Sequence, residues 1–310
     1  MTQPGTGKYE QLLERCRGLA PIVTAVAWPC DETSLSGAID AATQGLIIPI
    51  LVGPSATITE VARSKGIDLG GAEIVDVGDS RAAAARAVAL VREGRAELVM
   101  KGSLHSDEVL GAVIAKETGL RTGRRLSHVF LMDVPTYHKV LIVTDAAINI
   151  APTLEDKVDI VQNAIDLARS FGVERPKVAI LAAVETVNSK MPATLDAAAL
   201  CKMAERGQIK GGLLDGPLAF DNAISRDAAK IKGIVSEVAG DPDILLAPDL
   251  EAGNMMAKQL SFLANADSAG MVLGARVPVI LTSRADSLRS RIASCAVAVL
   301  AVHARRQPAK

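Results

Sequence analysis

The stretch EIVDVGDSRAAAARAVALVREGRAELVMK, residues 73–101, decides the fold class, because a strand, a helix and a second strand follow one another within it. The run LVMK (98–101) is apolar without polar alternation, which is typical of a strand covered on both faces. The Ala-rich run at 80–94 has a helical period, with most of its apolar residues gathered on one side. This order predicts parallel strands that are joined by helical crossovers.

The same alternation continues along the 310 residues, so we predict an α/β fold of mostly parallel sheets with helices on both faces. A chain of this length suggests about two domains. The candidate strands are residues 21–27, 46–52, 73–77, 98–101, 128–134, 140–144, 178–181, 212–215, 244–247 and 278–282.

One segment departs from the parallel pattern. In HVFLMDVPTYHKVLIVT (128–144), two strand-like runs are separated only by residues 135–139, which is too short for a helical crossover. We therefore predict one antiparallel step within an otherwise parallel arrangement.

Composition argues against several function classes. Lys and Arg together number 34 and Asp and Glu 35, which gives a net charge of −1. The sequence contains no run of five like charges, so it offers no basic stripe for binding a nucleic acid. Aromatic residues make up only 2%, which argues against base-stacking surfaces and membrane aromatic belts. The longest apolar run, 292–302, is far short of the roughly 20 residues that cross a bilayer. Without a targeting signal, we expect a cytoplasmic protein with small-molecule substrates.

The four cysteines are widely scattered and form no C-x-x-C pair. This pattern indicates neither a disulfide framework nor a cysteine zinc site. G-x-G-x-x-G, P-loop and H-x-x-x-H motifs are also missing, so ordinary Rossmann, NTPase and helical zinc sites lose their main support.

In open α/β sheets, ligands bind beyond the carboxyl ends of strands, so the loops that follow the strands hold the candidate site residues. After LVMK, Gly102 and two hydroxyl residues lead into a helix and form a candidate anion cradle, with Lys101 and His105 as further donors. Ser106 has an equally plain structural interpretation as the cap of that helix.

The loop after the last strand is the most informative one. Arg284 carries a rigid fork suited to a phosphate, and Ser283 adds a hydroxyl near a helix start. A plainer interpretation of Asp286 is that it is simply the cap of the last helix. Arg124, in the arginine-rich segment 119–125, is either a further anion ligand or part of a solvated linker.

Acidic and amide residues follow three other strands: Asp145 and Asn149; Asp221 and Asn222; and Asp249, Glu251 and Asn254. Asp215 is the last residue of the second of these strands. Asp215, Asp249 and Glu251 could join in a metal site, yet carboxylates at helix starts are ordinarily caps.

Six segments, in this order, resemble the phosphate acetyltransferase and phosphate butyryltransferase family: MKGSLHSDEVL (100–110), GLRTGRRLSHVFLMD (119–133), VTDAAINIAP (143–152), LLDGPLAFDNAIS (213–225), APDLEAGNMMAKQL (247–260) and PVILTSRADS (278–287). The resemblance covers essentially the whole chain. It is closest to the transferase module of proteins that combine an enoyl-CoA hydratase with a phosphate acetyltransferase. It implies transfer of a short acyl group, acetyl to butyryl, between coenzyme A and inorganic phosphate by a cytoplasmic homodimer without a metal or redox cofactor.

The resemblance also implies a fold like that of the isocitrate and isopropylmalate dehydrogenases, in which the C-terminal segment returns to the first domain. We then expect one domain from residues 1–122 and 275–310, a second from 123–274, and an active-site cleft between them. The last helix is expected from about residue 285 to residue 305.

Ser283 and Arg284 match the functional Ser-Arg pair of this family, and with Asp286 they are the expected catalytic residues. The expected phosphate and coenzyme A ligands are Lys101, Gly102, His105, Ser106, Arg124, Asp145, Asn149, Asn222 and Glu251.

Two positions depart from the family pattern. Ser290 stands where the acetyltransferase branch has an aspartate, and Gly111 stands where many members have an arginine. These departures leave the general base open. They also leave open an acyl-CoA or acyl-phosphate sensing protein without turnover. Asp215, Asp249 and Glu251 leave a second alternative, a metal- and NAD-dependent dehydrogenase of the related fold.

Overall fold

The computed structural model describes residues 7–283 and 286–306. The chain divides into two compact units, here called unit 1 (Met1–Arg124 with Ala269–Lys310) and unit 2 (Arg125–Ser268). The divisions expected from sequence, after residues 122 and 274, differ from these by two and six residues.

The secondary structure alternates as the sequence predicts. In chain order the elements are α1 (Lys8–Cys16), β1 (Ile22–Ala27), α2 (Glu32–Thr43), β2 (Ile47–Gly53), α3 (Ser55–Lys65), β3 (Glu73–Asp76), α4 (Ser80–Arg92), β4 (Leu98–Lys101), α5 (Ser106–Ile114), β5 (Ser127–Asp133), β6 (Leu141–Thr144), α6 (Leu154–Ser170), β7 (Lys177–Leu181), α7 (Pro192–Glu205), β8 (Leu213–Leu218), α8 (Phe220–Ile224), α9 (Arg226–Ile231), β9 (Ile244–Leu246), α10 (Leu250–Leu263), β10 (Asp267–Leu273), β11 (Val279–Ile280) and α11 (Leu288–Arg306).

Unit 1 carries its strands in the order β3-β2-β1-β4-β11-β10, and all neighbours are parallel except β10 and β11. Helix α4 packs on β1, β2 and β4 and against α5, while α1, α2, α3 and α11 form a second group in which α11 contacts α1 and α2. All four residues of β4 are buried, as expected for a strand that is covered on both faces. The α/β prediction is confirmed.

Unit 2 carries its strands in the order β5-β6-β9-β7-β8. The predicted antiparallel step is confirmed, because β5 pairs antiparallel with β6 and places Val129 opposite Thr144. The pairs β6–β9, β9–β7 and β7–β8 are parallel, so these four strands end at the same edge. Their core includes Met132, Val143 and Leu245, each fully buried.

The sequence missed one strand and misjudged the extent of others. Strand β10 begins with polar and small residues and therefore gave no strand signal. The predicted strand 278–282 is paired only at Val279 and Ile280. Helix α11 begins at Leu288, after Asp286 and Ser287, which are not helical; the expected start near residue 285 lies outside the described residues.

Ile22 in β1 tests the core of unit 1. Its side chain is 0% exposed, so Ile22→Ala should lower the free energy of unfolding by about 2–5 kcal/mol through lost burial and a cavity. Ile231, which is 87% exposed at the end of α9, offers the same substitution on the surface, where we expect a change within about 0.5 kcal/mol. Urea denaturation measures both, and equal costs for the two variants would contradict the assigned core.

Candidate active site

The parallel pairing of β4 with β11 brings two predicted loops together in unit 1. Val99 lies opposite Val279 and Met100 opposite Ile280, so the residues beyond both strands emerge side by side. Lys101 is 4% exposed, and its Nζ donates to Gly102 O at 3.2 Å and to Thr282 O at 3.5 Å. A buried ammonium group therefore lies between the two loops.

Gly102 fits a position that only glycine can occupy. Its N–H donates to Ala27 O at 2.8 Å, and a Cβ at this residue would lie 2.5 Å from Ala27 O and closer still to Trp28 O. The next residue, Ser103, donates to Trp28 O through its backbone N–H and through its hydroxyl, each at 2.9 Å. The loop after β4 is thus fixed to the end of β1.

The start of α5 differs from the simple cap suggested by the sequence. His105, not Ser106, is the N-cap residue, and Ser106 is the first residue of the helix. Glu108 accepts from the backbone N–H of His105 at 2.9 Å and from the hydroxyl of Ser80 at 2.5 Å. Hydrogen bonds lower the pKa of Glu108; the larger effect comes from the Ser80 hydroxyl and the smaller from the His105 N–H. The exposed His105 and Ser106 side chains therefore lie on a fixed helix start.

The loop at Ser283 is closed by Asp286. The Ser283 N–H donates to Asp286 Oδ2 at 2.6 Å, and the Asp286 N–H donates to Ser283 O at 3.2 Å. Asp286 is therefore not the simple cap of α11; Ser287 Oγ takes that position and accepts from Ser290 N at 3.1 Å. Burial raises the pKa of Asp286, while the Ser283 N–H and the nearby Arg291 and Lys101 oppose that rise.

Arg284, the central cation of the sequence prediction, lies outside the described residues. Arg124 lies in the described part of unit 1, with an exposed side chain. Its N–H donates to Thr122 Oγ1, which in turn donates to Gly274 O at 2.6 Å. Gly274 directly follows β10, and the end of β10 lies beside the beginning of β11. Lys101 and Ser283 lie at the other end of β11, so the segment that holds Arg124 is tied to the opposite end of this strand.

Sequence reasoning missed Arg291. This residue of α11 is 3% exposed, and its guanidinium donates to Thr282 Oγ1 at 3.0 Å and to Ser283 O at 2.8 Å. The available signal was an arginine directly before the apolar run that begins at Ile292. Burial lowers the pKa of this arginine, against the opposing effect of Asp286 and Asp31.

Unit 2 gathers four predicted residues at one edge of its sheet, beyond the carboxyl ends of parallel strands: Asp145 and Asn149 after β6, Asn222 after β8 and Glu251 after β9. Two of them hold their own loop. The buried Asp145 carboxylate accepts from the N–H groups of Ala147, Ile148 and Asn149 at 2.9–3.1 Å, and from the Asn149 amide. Asn149 also donates to Leu126 O at 2.8 Å and accepts from Arg125 Nε at 2.8 Å.

The other two residues differ in exposure. Asn222 is fully buried and donates to Glu185 Oε2 at 3.3 Å, while its Oδ1 has no hydrogen-bond partner within the described residues. Glu185, which sequence reasoning missed although it follows β7, also pairs with Lys232 at 3.1 Å. That Lys232 bond lowers the pKa of Glu185. Glu251 is exposed in the first turn of α10.

The alternative metal grouping receives no support. Across residues 7–283 and 286–306, no three His, Cys, Asp or Glu side chains come together as a metal site. Asp215 accepts from Gly216 N at 2.9 Å, and Asp249 caps α10 by accepting from Ala252 N at 2.9 Å.

Within residues 7–283 and 286–306, no helix combines the length and apolar character required to span a bilayer.

The fold and these residues define a class: an α/β protein whose parallel strands present buried cations, hydroxyls and amides at their carboxyl ends. The family model described as phosphate acetyl/butaryl transferase matches residues 80–299. The chain belongs to this family, and the resemblance seen in the sequence is confirmed.

Individual relatives agree with this assignment. The chain is 66% identical over 299 residues to a phosphate acetyltransferase of Rhizobium meliloti, covering 96% of this chain and 95% of that protein. It is 45% identical over 292 residues to a phosphate butyryltransferase of Clostridium acetobutylicum, covering 94% and 97%. The crystal structure of a branched-chain phosphotransacylase from Enterococcus faecalis is similar with a TM-score of 0.79 at 30% identity, covering 91% of this chain and 99% of that one.

The close approach at Gly102 yields a stability prediction. Gly102→Ala should lower the free energy of unfolding by about 1–3 kcal/mol, because backbone carbonyls cannot move aside from the added methyl group. Gly111 in α5 is the matched control: a Cβ there meets nothing within 4 Å, and Gly111→Ala should stabilise by about 0.5–1 kcal/mol. Opposite shifts of the urea midpoint are expected, and a neutral Gly102→Ala would contradict the described loop.

Proposed function

We propose that this chain is a phosphate acyltransferase that moves a short acyl group, acetyl to butyryl, between coenzyme A and inorganic phosphate. Family membership with 66% identity to a phosphate acetyltransferase is the observation that carries the proposal. The buried Lys101 beside the Ser283 loop supports it, because phosphate and a developing oxyanion both require fixed positive charge and hydrogen-bond donors.

The reaction defines what the residues must do. A phosphate oxygen attacks the thioester carbonyl carbon and forms a C–O bond, while the C–S bond breaks and the coenzyme A sulfur leaves with the electron pair. The carbonyl oxygen is negative in between, so donors placed there stabilise the transition state. This exchange is neither an oxidation nor a reduction, so it needs no redox cofactor. We infer that it needs no metal either, because Lys101 and Arg284 are proposed to supply the positive charge.

In this proposal Ser283 supplies a hydroxyl to the reacting carbonyl and Arg284 binds the phosphate. Lys101 adds positive charge at the loop, and Gly102, His105 and Ser106 offer the start of α5 to an anionic group. Arg124 and the unit 2 residues Asp145, Asn149, Asn222 and Glu251 are proposed to serve substrate binding. Asp145 and Asn149 would act by shaping their loop, since Asp145 bonds to backbone N–H groups within it and Asn149 ties it to Leu126 and Arg125.

Asp286 is the proposed base in the direction that forms acyl-CoA, where the thiol must lose its proton. Burial raises the pKa of this carboxyl, and a carboxylate with a raised pKa is a stronger base near neutral pH. The position that carries an aspartate in the acetyl branch is Ser290 here, so Asp286 is the nearest carboxylate in the sequence.

The deciding experiment is a thiol-release assay with phosphate on acetyl-CoA, propionyl-CoA and butyryl-CoA, run with and without a chelator. We expect turnover that the chelator leaves unchanged, with a preference among the three acyl groups. Binding of acyl-CoA without any release of thiol would instead support the sensing protein.

Arg284→Ala tests the phosphate-binding role. Loss of a charge that stabilises the transition state should lower kcat by about 100- to 1000-fold with an unchanged thermal midpoint. Arg63→Ala, on the exposed face of α3 where Arg63 pairs with Glu60, provides the control and should leave turnover unchanged. Equal rates for both variants would remove Arg284 from the site.

The base role predicts a pH dependence. The carboxylate form of Asp286 is the active one, so acyl-CoA formation should fall as the pH drops through its raised pKa, and the acid limb should lie above the usual value of 3.8. Asp286→Asn should lower kcat and abolish that limb. A limb that persists in this variant, measured as kcat/KM against pH, would assign the base elsewhere.

We also propose a cytoplasmic homodimer, as the family resemblance implies. Light scattering on purified protein should give twice the 32.3 kDa chain mass, and a mass of one chain would refute the dimer.

A further inference from the structure

Arg291 is a buried charge whose position the general fold does not explain. Its side chain is 3% exposed on α11, next to fully apolar neighbours such as Ile292. Burying a guanidinium is costly unless hydrogen bonds and nearby charges compensate. Here Nη1 and Nη2 each make one bond, while Nε has none within the described residues. An apolar residue would suit this helix face at lower cost, so the arginine calls for another explanation.

The packing of α2 accommodates this side chain. Gly37 lies in α2, and a Cβ on Gly37 would come within 2.9 Å of Arg291 Cδ. A glycine inside a helix is less favourable than an alanine. Two positions far apart in sequence thus carry residues that are unfavourable locally and that together let the guanidinium reach the Ser283 loop.

Both bonds of Arg291 go to the chain around Ser283. One reaches the Thr282 hydroxyl at 3.0 Å and the other reaches Ser283 O at 2.8 Å. On the other side, the Ser283 N–H is held by Asp286 at 2.6 Å. Thr282 O is in turn held by Lys101 at 3.5 Å. The backbone of Ser283 is therefore held on both sides of its Cα, and Arg291 is the helix residue that joins this loop to α11.

We propose that Arg291 is a positioning residue for acyl transfer: it fixes the Thr282–Ser283 backbone so that the Ser283 hydroxyl meets the substrate in reactive geometry. The inference rests on the proposed function, which supplies the role of Ser283. Arg291 itself touches no substrate in this account. A displacement of about 1 Å in a reacting group can cost about 100-fold in rate, so a residue of this kind acts on kcat more than on KM.

Arg291→Met keeps an unbranched side chain as far as the Nε position and removes the guanidinium donors. Arg291→Lys keeps the charge and one donor group. Gly37→Ala displaces the arginine side chain without changing it. Arg289→Met is the matched control, because Arg289 lies two residues earlier on α11 and is exposed beside Tyr9 and Glu10. Each protein is assayed with the best of the three acyl-CoA substrates and phosphate, at a temperature below its measured unfolding midpoint.

We expect Arg291→Met to lower kcat about 100-fold with KM for acyl-CoA within about threefold. Arg291→Lys should recover part of that loss, and Gly37→Ala should lower kcat about tenfold. Gly37→Ala should not lower kcat further when Arg291→Met is already present, because it acts on kcat only by displacing the arginine. The Arg289→Met control should have the kcat of the unmodified protein.

A second readout separates positioning from general destabilisation. Lys101 and Arg291 are the described cations that lower the pKa of Asp286. Removing Arg291 should therefore move the acid limb of kcat/KM to higher pH, which a loss of folded protein alone would not do.

Unchanged kcat in Arg291→Met would overturn the inference, as would a Gly37→Ala effect of equal size in both backgrounds. If Arg291→Met fails to fold, Arg291→Lys and Gly37→Ala decide the question, and unchanged kcat in both would refute the inference. An inactive unmodified protein refutes the proposed function and this inference with it, whereas an active protein with indifferent variants refutes the inference alone.

Discussion

The pairing of β11 with β4 is the constraint on which the rest of unit 1 depends. Only Val279 and Ile280 make this contact, yet it returns the C-terminal segment to a sheet built from the first part of the chain. Because the two strands run parallel, the residues after both emerge at the same edge. Lys101 and Ser283, 182 positions apart in sequence, thereby become neighbours, and α11 packs on the helices of the same unit.

Around this contact, unit 1 buries positive charge and compensates it with backbone oxygens. Lys101 donates to the carbonyls of Gly102 and Thr282, and Arg291 to the carbonyl of Ser283. A buried ammonium group and a buried guanidinium therefore both lie beside the Thr282–Ser283 segment. Asp286 and Asp31 are carboxylates near Arg291, and burial raises the pKa of Asp286. This arrangement suits a reaction in which a phosphate approaches and a negative oxygen develops.

Unit 2 uses its polar residues differently. The Asp145 carboxylate accepts hydrogen bonds from N–H groups of its own loop. The Asn149 amide bonds to the backbone of Leu126 and to the side chain of Arg125. Such residues cannot offer the same atoms to a ligand, and their contribution is the shape of the loop. Asn222 is different, because a buried amide oxygen without a partner within the described residues retains an unused acceptor. Acidic and amide residues that follow strands in the same sequence pattern thus differ in how many of their hydrogen-bonding atoms already have partners.

The sequence by itself determined the α/β class, the antiparallel step at 128–144, the family, and the loops that hold the candidate residues. These features depend on local hydrophobic period, on loop length and on short motifs, all of which can be read along the chain. Only the tertiary structure showed β10, the partners of Asp145, and the contact of Arg291 with the Ser283 loop. Those features depend on contacts between residues far apart in sequence, such as Gly37 with Arg291, and local pattern carries no information on them. An arginine inside a helix pattern is solvated or buried according to what packs over it, and that is a property of the fold.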